Sequence, residues 1–193
     1  DWSSDVCSSD LLPLPSYEVK IVNEEMMEVK TGEVGEIMVK GDCVMQGYLN
    51  HADATDETIM NGWLLTGDLG KKDEDGFIYI VDRKKDLIIS KGINIYPREI
   101  EEVIYKYEGV DAVAVIGLRD ETKDEDVLAF IQPKEGVELQ EMELRQYLKK
   151  HLANFKLPKH IYFVEELPKN ATGKVLKRVL KEKVQAGGFL RKK

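Results

Sequence analysis

The chain has 193 residues, of which 42% are hydrophobic and 33% are charged, so one domain, or a small domain with part of another, can bury a core. No apolar run approaches the roughly 20 residues of a transmembrane helix, although peripheral contact with a membrane is compatible with the sequence. The formal net charge of −8 argues against nucleic acid as a partner, because duplex affinity comes mainly from basic residues that face phosphates.

The charge is distributed unevenly along the chain. Residues 1–82 hold 5 basic and 18 acidic residues, whereas residues 83–193 hold 23 basic and 18 acidic residues. This asymmetry favours two modules, the second suited to phosphate-bearing ligands. Two cysteines are too few for a disulfide framework, and the three histidines have no metal-ligand spacing, so we expect no metal site in the chain and a cytoplasmic location.

The N-terminal segment Asp1–Leu11 reads DWSSDVCSSDL and has neither the basic nor the apolar region of a signal peptide. It resembles the translation of a sequencing-library adapter read into an open frame. We therefore interpret residues 1–11 as an artefact, exclude them from predictions of the fold, and expect that the gene extended further upstream.

The first module is predicted to be a small antiparallel sheet. Apolar residues alternate from Tyr17 to Val39, interrupted by turn residues, and Met26 and Met27 are counted among the strand positions. A short helix is predicted over Asp53–Met60. A strand over Phe77–Val81 follows the strong turn signal of residues 73–76.

Strands and helices alternate in the second module, which predicts an α+β fold. Pro97 suits the first turn of a helix, and the residues Ile100, Val103, Ile104 and Tyr107 are spaced as one helical face. Further helices are predicted over Leu144–Leu152 and Val175–Val184. The predicted strands are Leu87–Ile89, Val110–Leu118, Val127–Gln132 and His160–Val164.

Four segments combine residue types that bind phosphates or sugars. Gly32–Leu49 places glycines where a sheet must turn and reads as structural when taken alone. In Asn61–Asp68 a carboxylate follows a glycine, which suits either an Asx-type turn or the acceptance of ribose hydroxyls. Asp82–Gly92 begins with three basic residues, which suit a solvated linker or a nucleotide contact. Leu167–Val175 places Lys174 on a flexible, glycine-containing loop before a helix, without the Ser or Thr of a P-loop.

In this order and spacing, the four segments resemble the C-terminal part of the adenylate-forming enzymes, which include acyl-CoA synthetases, luciferases and peptide-synthetase adenylation domains. The resemblance covers residues 16–184. Residues 82–90 and 94–103 are most similar to the medium- and long-chain fatty-acyl-CoA ligases. The implied fold is α+β: the end of a large N-terminal domain with a small antiparallel β subdomain, followed by a compact α+β lid domain.

The resemblance also implies roles for individual residues. Thr66, Gly67 and Asp68 match the ribose-binding motif, and Arg83 is expected to bind ribose or the neighbouring phosphate. Gly92 lies in the loop implied in thioester formation, and Lys85 matches the hinge residue. Lys174 matches the catalytic lysine, which is implied to bridge the substrate carboxylate and the α-phosphate of ATP.

The implied boundaries are residues 12–82 for the end of the large domain, 83–85 for the hinge, 86–186 for the lid and 187–193 for a frayed basic tail. The implied reaction uses ATP and coenzyme A on a fatty acid or another carboxylate. Magnesium is expected to bind in an N-terminal part of the protein outside these residues, and that part is the implied partner of this segment. Alone, the segment is expected to be inactive.

Two alternatives remain open from the sequence. One is the lid of a relative that activates an aryl or amino acid, because no acyl-pocket residues are recognisable. The other is a free-standing module that binds coenzyme A or phosphate through residues 169–193, which hold nine basic residues and one acidic residue. Acyl chain length, oligomeric state and pathway are not encoded in a recognisable way.

Overall fold

The structure is a computed structural model that describes residues 11–119 and 124–188. Residues 1–10 of the predicted artefact and residues 189–193 of the predicted tail lie outside this range. The chain divides into two compact units, with the boundary between Lys85 and Asp86. The mixed α+β composition predicted from the sequence is confirmed.

The first unit is built on a five-stranded antiparallel sheet. Its strands are β1 (Tyr17–Val22), β2 (Gly35–Gly41), β3 (Ile59–Met60), β4 (Trp63–Lys72) and β5 (Ile78–Arg83), and a short helix α1 (Ala52–Thr58) precedes β3. The strand order is β1-β2-β4-β3, and β5 also pairs with β4. Ile21, Ile37 and Ile78 form a small apolar core on this sheet.

Two expectations for this unit need correction. Met26 and Met27 lie in the turn after β1 rather than in a strand, with the Asn23 side chain accepting hydrogen bonds from the Glu25 and Met27 amides. Leu11 was excluded with the leader, yet its backbone exchanges two hydrogen bonds with Ile78.

The second unit begins with a hairpin of β6 (Ile88–Ser90) and β7 (Ile93–Ile95), followed by α2 (Pro97–Tyr105). Its main sheet contains β8 (Val110–Arg119), β9 (Glu125–Pro133) and β10 (His160–Phe163) in the order β10-β9-β8. β9 is antiparallel to β8 and parallel to β10. The helix α3 (Glu141–His151) connects β9 to β10, and α4 (Lys177–Gln185) is the last helix.

Both faces of the three-stranded sheet are buried under helices. Side chains alternate between the two faces along each strand, so each strand contributes to two apolar clusters. On one face, Val115 and Ala129 pack with residues of α2 and α3, including Ile104 and Leu148. On the other face, Phe130 joins a cluster with Leu180 and Val184 of α4, together with Ala114, Ile116, Leu128 and Leu167. Strands covered on both sides carry continuous apolar runs, which explains the sequence Val127–Ile131.

The turn between β4 and β5 is fixed by one aspartate. The carboxylate of Asp73 accepts hydrogen bonds from the Asp75 and Phe77 amides and, at 2.9 Å, from the Tyr79 hydroxyl. Partial removal from water raises the pKa of Asp73, but the hydrogen bonds from Tyr79 and from the backbone amides outweigh it, and the pKa is lowered overall.

We expect Leu148→Ala to lower the free energy of unfolding by about 2–5 kcal/mol, because Leu148 is 1% exposed and its loss leaves a cavity. Met142 lies on the same helix but is 74% exposed, so Met142→Ala is the matched control and should change stability by no more than about 0.5 kcal/mol. Urea unfolding followed by circular dichroism measures both. Equal losses in the two variants would contradict the described core.

We expect Tyr79→Phe to raise the pKa of Asp73, because the variant loses the hydroxyl that donates to the carboxylate. A lowered pKa stabilises the fold above the ordinary value of 3.8, and this stabilisation disappears as the pH falls through the folded-state pKa. The variant should therefore lose part of that stabilisation at neutral pH. Carboxyl-carbon NMR titration of Asp73 measures the shift, with the exposed Tyr105→Phe as control; an unchanged Asp73 pKa in Tyr79→Phe would refute the assignment.

Candidate functional site

The ribose-motif residues lie in an irregular part of β4. Glu36 of β2 is opposite Leu69, and Met38 is opposite Leu65, so the three residues 66–68 face the single residue Ile37. The extra residues form a bulge that leaves the regular ladder. Gly67 has a φ of +73°, a conformation that side chains with a Cβ rarely adopt, which explains a glycine at this position.

The backbone groups released by the bulge are satisfied by side chains. The Thr66 hydroxyl donates a 2.8 Å hydrogen bond to the Ile37 carbonyl and accepts one of 3.1 Å from the Asp68 amide. The Gly67 amide donates to Oε1 of Glu36 at 3.2 Å. The bulge is therefore held in a defined conformation, and Asp68 is presented from a fixed backbone.

Asp68 is paired with Arg83 across the two neighbouring strands. The two residues are Cα partners in the β4–β5 ladder, and Arg83 Nε lies 3.2 Å from Asp68 Oδ1. Their side chains are 30% and 46% exposed, and an ion pair of this kind contributes only about 0–1 kcal/mol to stability. Both groups can therefore exchange their mutual contact for a ligand at little cost.

A shallow depression of about 340 Å³ lies beside this pair and is lined by Thr66, Gly67, Arg83, Lys84 and Lys85. Apart from its chain neighbours, a Cβ built on Gly67 would meet no atom of the described residues within 4 Å, so the bulge leaves open space there. A carboxylate can accept two hydroxyl hydrogen bonds, and guanidinium and ammonium groups bind phosphate. The residues present thus fit a sugar phosphate. Five of the predicted site residues, Thr66, Gly67, Asp68, Arg83 and Lys85, lie together here, and Asp68 belongs to β4 rather than to an Asx-type turn.

The contact between Glu36 and Lys84 in this region was not predicted, although Lys84 is one of the three basic residues of the predicted hinge. Glu36 is only 8% exposed although it is charged, and Lys84 Nζ lies 2.7 Å from its Oε2. The signal in the sequence is Glu36, a charged residue inside the otherwise apolar strand segment Gly35–Val39. That segment is interpreted as structural when taken alone.

Lys174 lies on a structured hairpin rather than on a flexible loop. The Asn170 side-chain oxygen accepts hydrogen bonds from the Thr172 amide, the Thr172 hydroxyl and the Lys174 amide, at 2.8–3.0 Å. The Asn170 amide donates to the Lys174 carbonyl, and Gly173 provides the left-handed conformation at φ +82°. The Lys174 side chain is exposed, and it has no ion-pair partner among residues 11–119 and 124–188.

The helix that follows is anchored by a half-buried ion pair. Lys177, the first residue of α4, places Nζ 2.7 Å from Oε1 of Glu101 on α2. The same carboxylate oxygen accepts a 2.6 Å hydrogen bond from the Val115 amide of β8. The contact joins three elements of the second unit and fixes the start of α4 three residues after Lys174.

Gly92 lies in the two-residue turn between β6 and β7. Lys91 and Gly92 have φ values of +51° and +75°, the combination of a type I′ hairpin turn. The Lys91 amide donates to the Asp124 carboxylate at 3.1 Å. Among residues 11–119 and 124–188, apart from its two chain neighbours, no atom lies within 4 Å of a Cβ built on Gly92, so the turn is open toward the described residues.

Within residues 11–119 and 124–188, no group of three or more His, Cys, Asp or Glu side chains is arranged to hold a metal ion. In that part of the chain, every helix is too short or too polar to span a bilayer.

Comparison with known proteins identifies related sequences and folds. A sequence model of the AMP-binding enzyme C-terminal domain matches residues 99–174, and a model of the AMP-binding enzyme matches residues 8–49. The long-chain-fatty-acid–CoA ligase of Salmonella typhimurium is 46% identical over 174 residues, which cover 90% of this chain and 31% of the relative.

Two solved structures have the same fold over most of the chain. ATP-bound MatB from Rhodopseudomonas palustris superimposes with a TM-score of 0.84 at 38% identity, covering 89% of this chain and 35% of that one. The o-succinylbenzoate CoA synthetase of Bacillus subtilis, in complex with its acyl-adenylate intermediate, gives 0.81 at 40% identity, covering 88% and 34%. The chain therefore spans about a third of the length of the relatives it matches. The two family matches and these similarities show that it belongs to the adenylate-forming AMP-binding enzymes and includes sequence of their C-terminal domain.

Proposed function

We propose that the chain is the C-terminal part of an ATP-dependent acyl-CoA ligase that converts a fatty acid first to acyl-AMP and then to acyl-CoA. The observation that carries the proposal is the Asp68–Arg83 pair, held 3.2 Å apart beside an open bulge and a depression of about 340 Å³. This pair is suited to the ribose and phosphate of a nucleotide. In this proposal, residues 12–82 end the large domain, residues 83–85 form the hinge and residues 86–186 form the lid.

In the first step, a carboxylate oxygen of the substrate attacks the α-phosphorus of ATP, and the bond to the pyrophosphate oxygen breaks. Asp68 accepts hydrogen bonds from the ribose hydroxyls, and Arg83 donates to the ribose or the neighbouring phosphate. Lys174 bridges the substrate carboxylate and the α-phosphate, where its ammonium group neutralises the charge that develops in the transition state. The exposure of Lys174 and the rigidity of its hairpin are consistent with this role.

In the second step, the thiol sulfur of coenzyme A attacks the acyl carbon, and AMP leaves as the carbon–oxygen bond breaks. The proposal assigns the open turn at Gly92 to the approach of coenzyme A. Rotation about Lys85 exchanges the Lys174 hairpin for this turn between the two steps. Alone, the segment is expected to be inactive, since its sequence contains no recognisable adenine or acyl pocket.

A fatty acid is the proposed substrate because the Salmonella typhimurium relative is named a long-chain-fatty-acid–CoA ligase. An aryl acid is the second candidate, because a relative of similar identity acts with o-succinylbenzoate. Cytoplasmic location stays a prediction. The expression of the complete gene, followed by a coupled assay of CoA-dependent AMP formation with fatty acids and with o-succinylbenzoate, distinguishes these substrates. Activity with neither acid would reject both assignments.

We expect Lys174→Ala, in the complete protein, to lower the rate of acyl-AMP formation by about 10²–10³-fold, since it removes a charge used only in that transition state. Thioester formation from supplied acyl-AMP should remain largely intact. Pyrophosphate release and thioester formation are measured separately. Lys169→Ala is the control, because Lys169 is exposed on the same hairpin. Equal loss of both steps in Lys174→Ala would contradict the assignment.

We expect Lys85→Pro to slow thioester formation more than acyl-AMP formation. Proline fixes φ near −65° and also restricts the preceding residue, so rotation about the hinge is limited. Lys85→Ala removes the side chain but keeps backbone freedom, and it should change the ratio of the two rates much less. A normal thioester rate in Lys85→Pro would exclude residue 85 as the hinge.

A further inference from the structure

Glu36 is one of two buried charged residues near the Asp68–Arg83 pair among the described residues of the first unit; the other is Asp82, whose carboxylate accepts a hydrogen bond from the Arg83 amide. Each oxygen of the Glu36 carboxylate has one partner. Oε1 accepts a 3.2 Å hydrogen bond from the Gly67 amide, and Oε2 lies 2.7 Å from Nζ of Lys84. A buried carboxylate requires such partners, because removing it from water is costly. Glu36 is therefore held in one position from two sides.

The two partners of Glu36 are the chain neighbours of the two residues assigned to the nucleotide. Gly67 directly precedes Asp68 on β4, and Lys84 directly follows Arg83 at the end of β5. The Glu36 carboxylate on β2 thus accepts from the Gly67 backbone, next to Asp68 in the chain, and from the Lys84 side chain, next to Arg83 in the chain. This arrangement links all three strands at the depression.

The backbone ladder alone constrains this region weakly. The register of β2 against β4 shifts between Glu36 and Met38, and that of β4 against β5 shifts between Leu69 and Gly70. Asp68 therefore lies in the first irregularity and beside the second, where fewer regular ladder bonds define its position. The side-chain contacts of Glu36 supply constraints that the ladder lacks.

We propose that Glu36 is a positioning residue of the nucleotide site: it fixes the bulge through Gly67 and the start of the hinge segment through Lys84, and so sets the place of Asp68 against the ribose. This inference rests on the proposed function, in which Asp68 binds the ribose hydroxyls. Glu36 itself is too buried to contact the nucleotide, and it acts through its neighbours.

The test compares ATP with 2′,3′-dideoxy-ATP in acyl-AMP formation by the complete protein. The readout is the KM for 2′,3′-dideoxy-ATP divided by the KM for ATP, and a high ratio means that the ribose hydroxyls are recognised. Asp68→Ala sets the scale, because removal of the ribose acceptor should bring this ratio close to one. Glu36→Ala is expected to raise the KM for ATP about tenfold and to lower the ratio in the same direction, the size expected for losing one charge-assisted hydrogen bond. The kcat should stay within about twofold of the unchanged enzyme.

Glu36→Gln is the conservative variant: its amide oxygen can still accept from the Gly67 amide, but its NH2 group cannot accept from Lys84, so the ratio should recover to a value between those of Glu36→Ala and the unchanged enzyme. Glu18→Gln, an exposed carboxylate on β1, is the matched control and should leave both KM values unchanged. If Glu36→Ala does not fold, Glu36→Asp replaces it, because a side chain shorter by one methylene cannot reach Gly67 and Lys84 together. A lowered ratio in Glu36→Asp then supports the inference, and an unchanged ratio rejects it.

A fall in kcat at constant KM, or a ratio unaltered by Glu36→Ala where Asp68→Ala lowers it, would reject the positioning role and leave the proposed function standing. An unaltered ratio in Asp68→Ala would instead reject the assignment of the ribose to Asp68, and this inference with it. Loss of discrimination in Glu36→Ala with partial recovery in Glu36→Gln is the result that establishes it.

Discussion

The candidate nucleotide site depends on a mismatch in strand length: three residues of β4 occupy the space opposite one residue of β2. A regular antiparallel pair would alternate Thr66, Gly67 and Asp68 between the two faces of the sheet and use their amides in the ladder. The bulge instead frees these groups from the ladder: Glu36 accepts from the Gly67 amide, and the Thr66 hydroxyl accepts from the Asp68 amide while it donates to the Ile37 carbonyl. Asp68 is thereby displayed at the ladder position of Arg83 without exposing unsatisfied backbone.

In the second unit, the packing of α4 supports the hairpin that carries the exposed Lys174. The sheet of β8, β9 and β10 is covered on both faces, and α4 packs on one of them through Leu180 and Val184. The Glu101–Lys177 contact then fixes where α4 begins, and Asn170 organises the hairpin before it. The backbone at Lys174 is thus tied to the core of its own unit, while its side chain extends into solvent.

Local patterns predicted much of this fold. Pro97 and the spacing of apolar residues correctly predicted α2, and the continuous apolar run at Val127–Ile131 correctly predicted β9. The start of α4 was predicted at Val175 but lies at Lys177, because the hairpin organised by Asn170 includes the preceding residues. The ten-residue strand β4 was not predicted, since glycine and aspartate disfavour strands and the bulge is defined only by its partner strand.

The candidate site was predictable only where the residues adjoin each other in a recognisable motif. Thr66, Gly67 and Asp68 form such a motif, but Glu36 and Lys84 do not, because they are 48 positions apart and neither indicates the other. A charged residue in a strand is ordinarily solvent-exposed, so its burial beside a lysine could not be read from periodicity. The roles of Lys85, Gly92 and Lys174 are likewise predictions based on resemblance.

Among the described residues of the first unit, the Asp68–Arg83 and Glu36–Lys84 ion pairs differ in how far their acidic partners are exposed, and they therefore respond differently to ionic strength. Arg83, Lys84 and Lys85 are three consecutive cations, and carboxylates neutralise two of them. At physiological salt concentration the interaction between exposed charges decays over a Debye length of about 8 Å, which shortens as salt rises, and buried pairs are screened much less. Rising salt therefore weakens the Asp68–Arg83 contact before the contact of the buried Glu36 with Lys84. The strand end stays anchored under conditions in which the guanidinium is already released toward anions in solution.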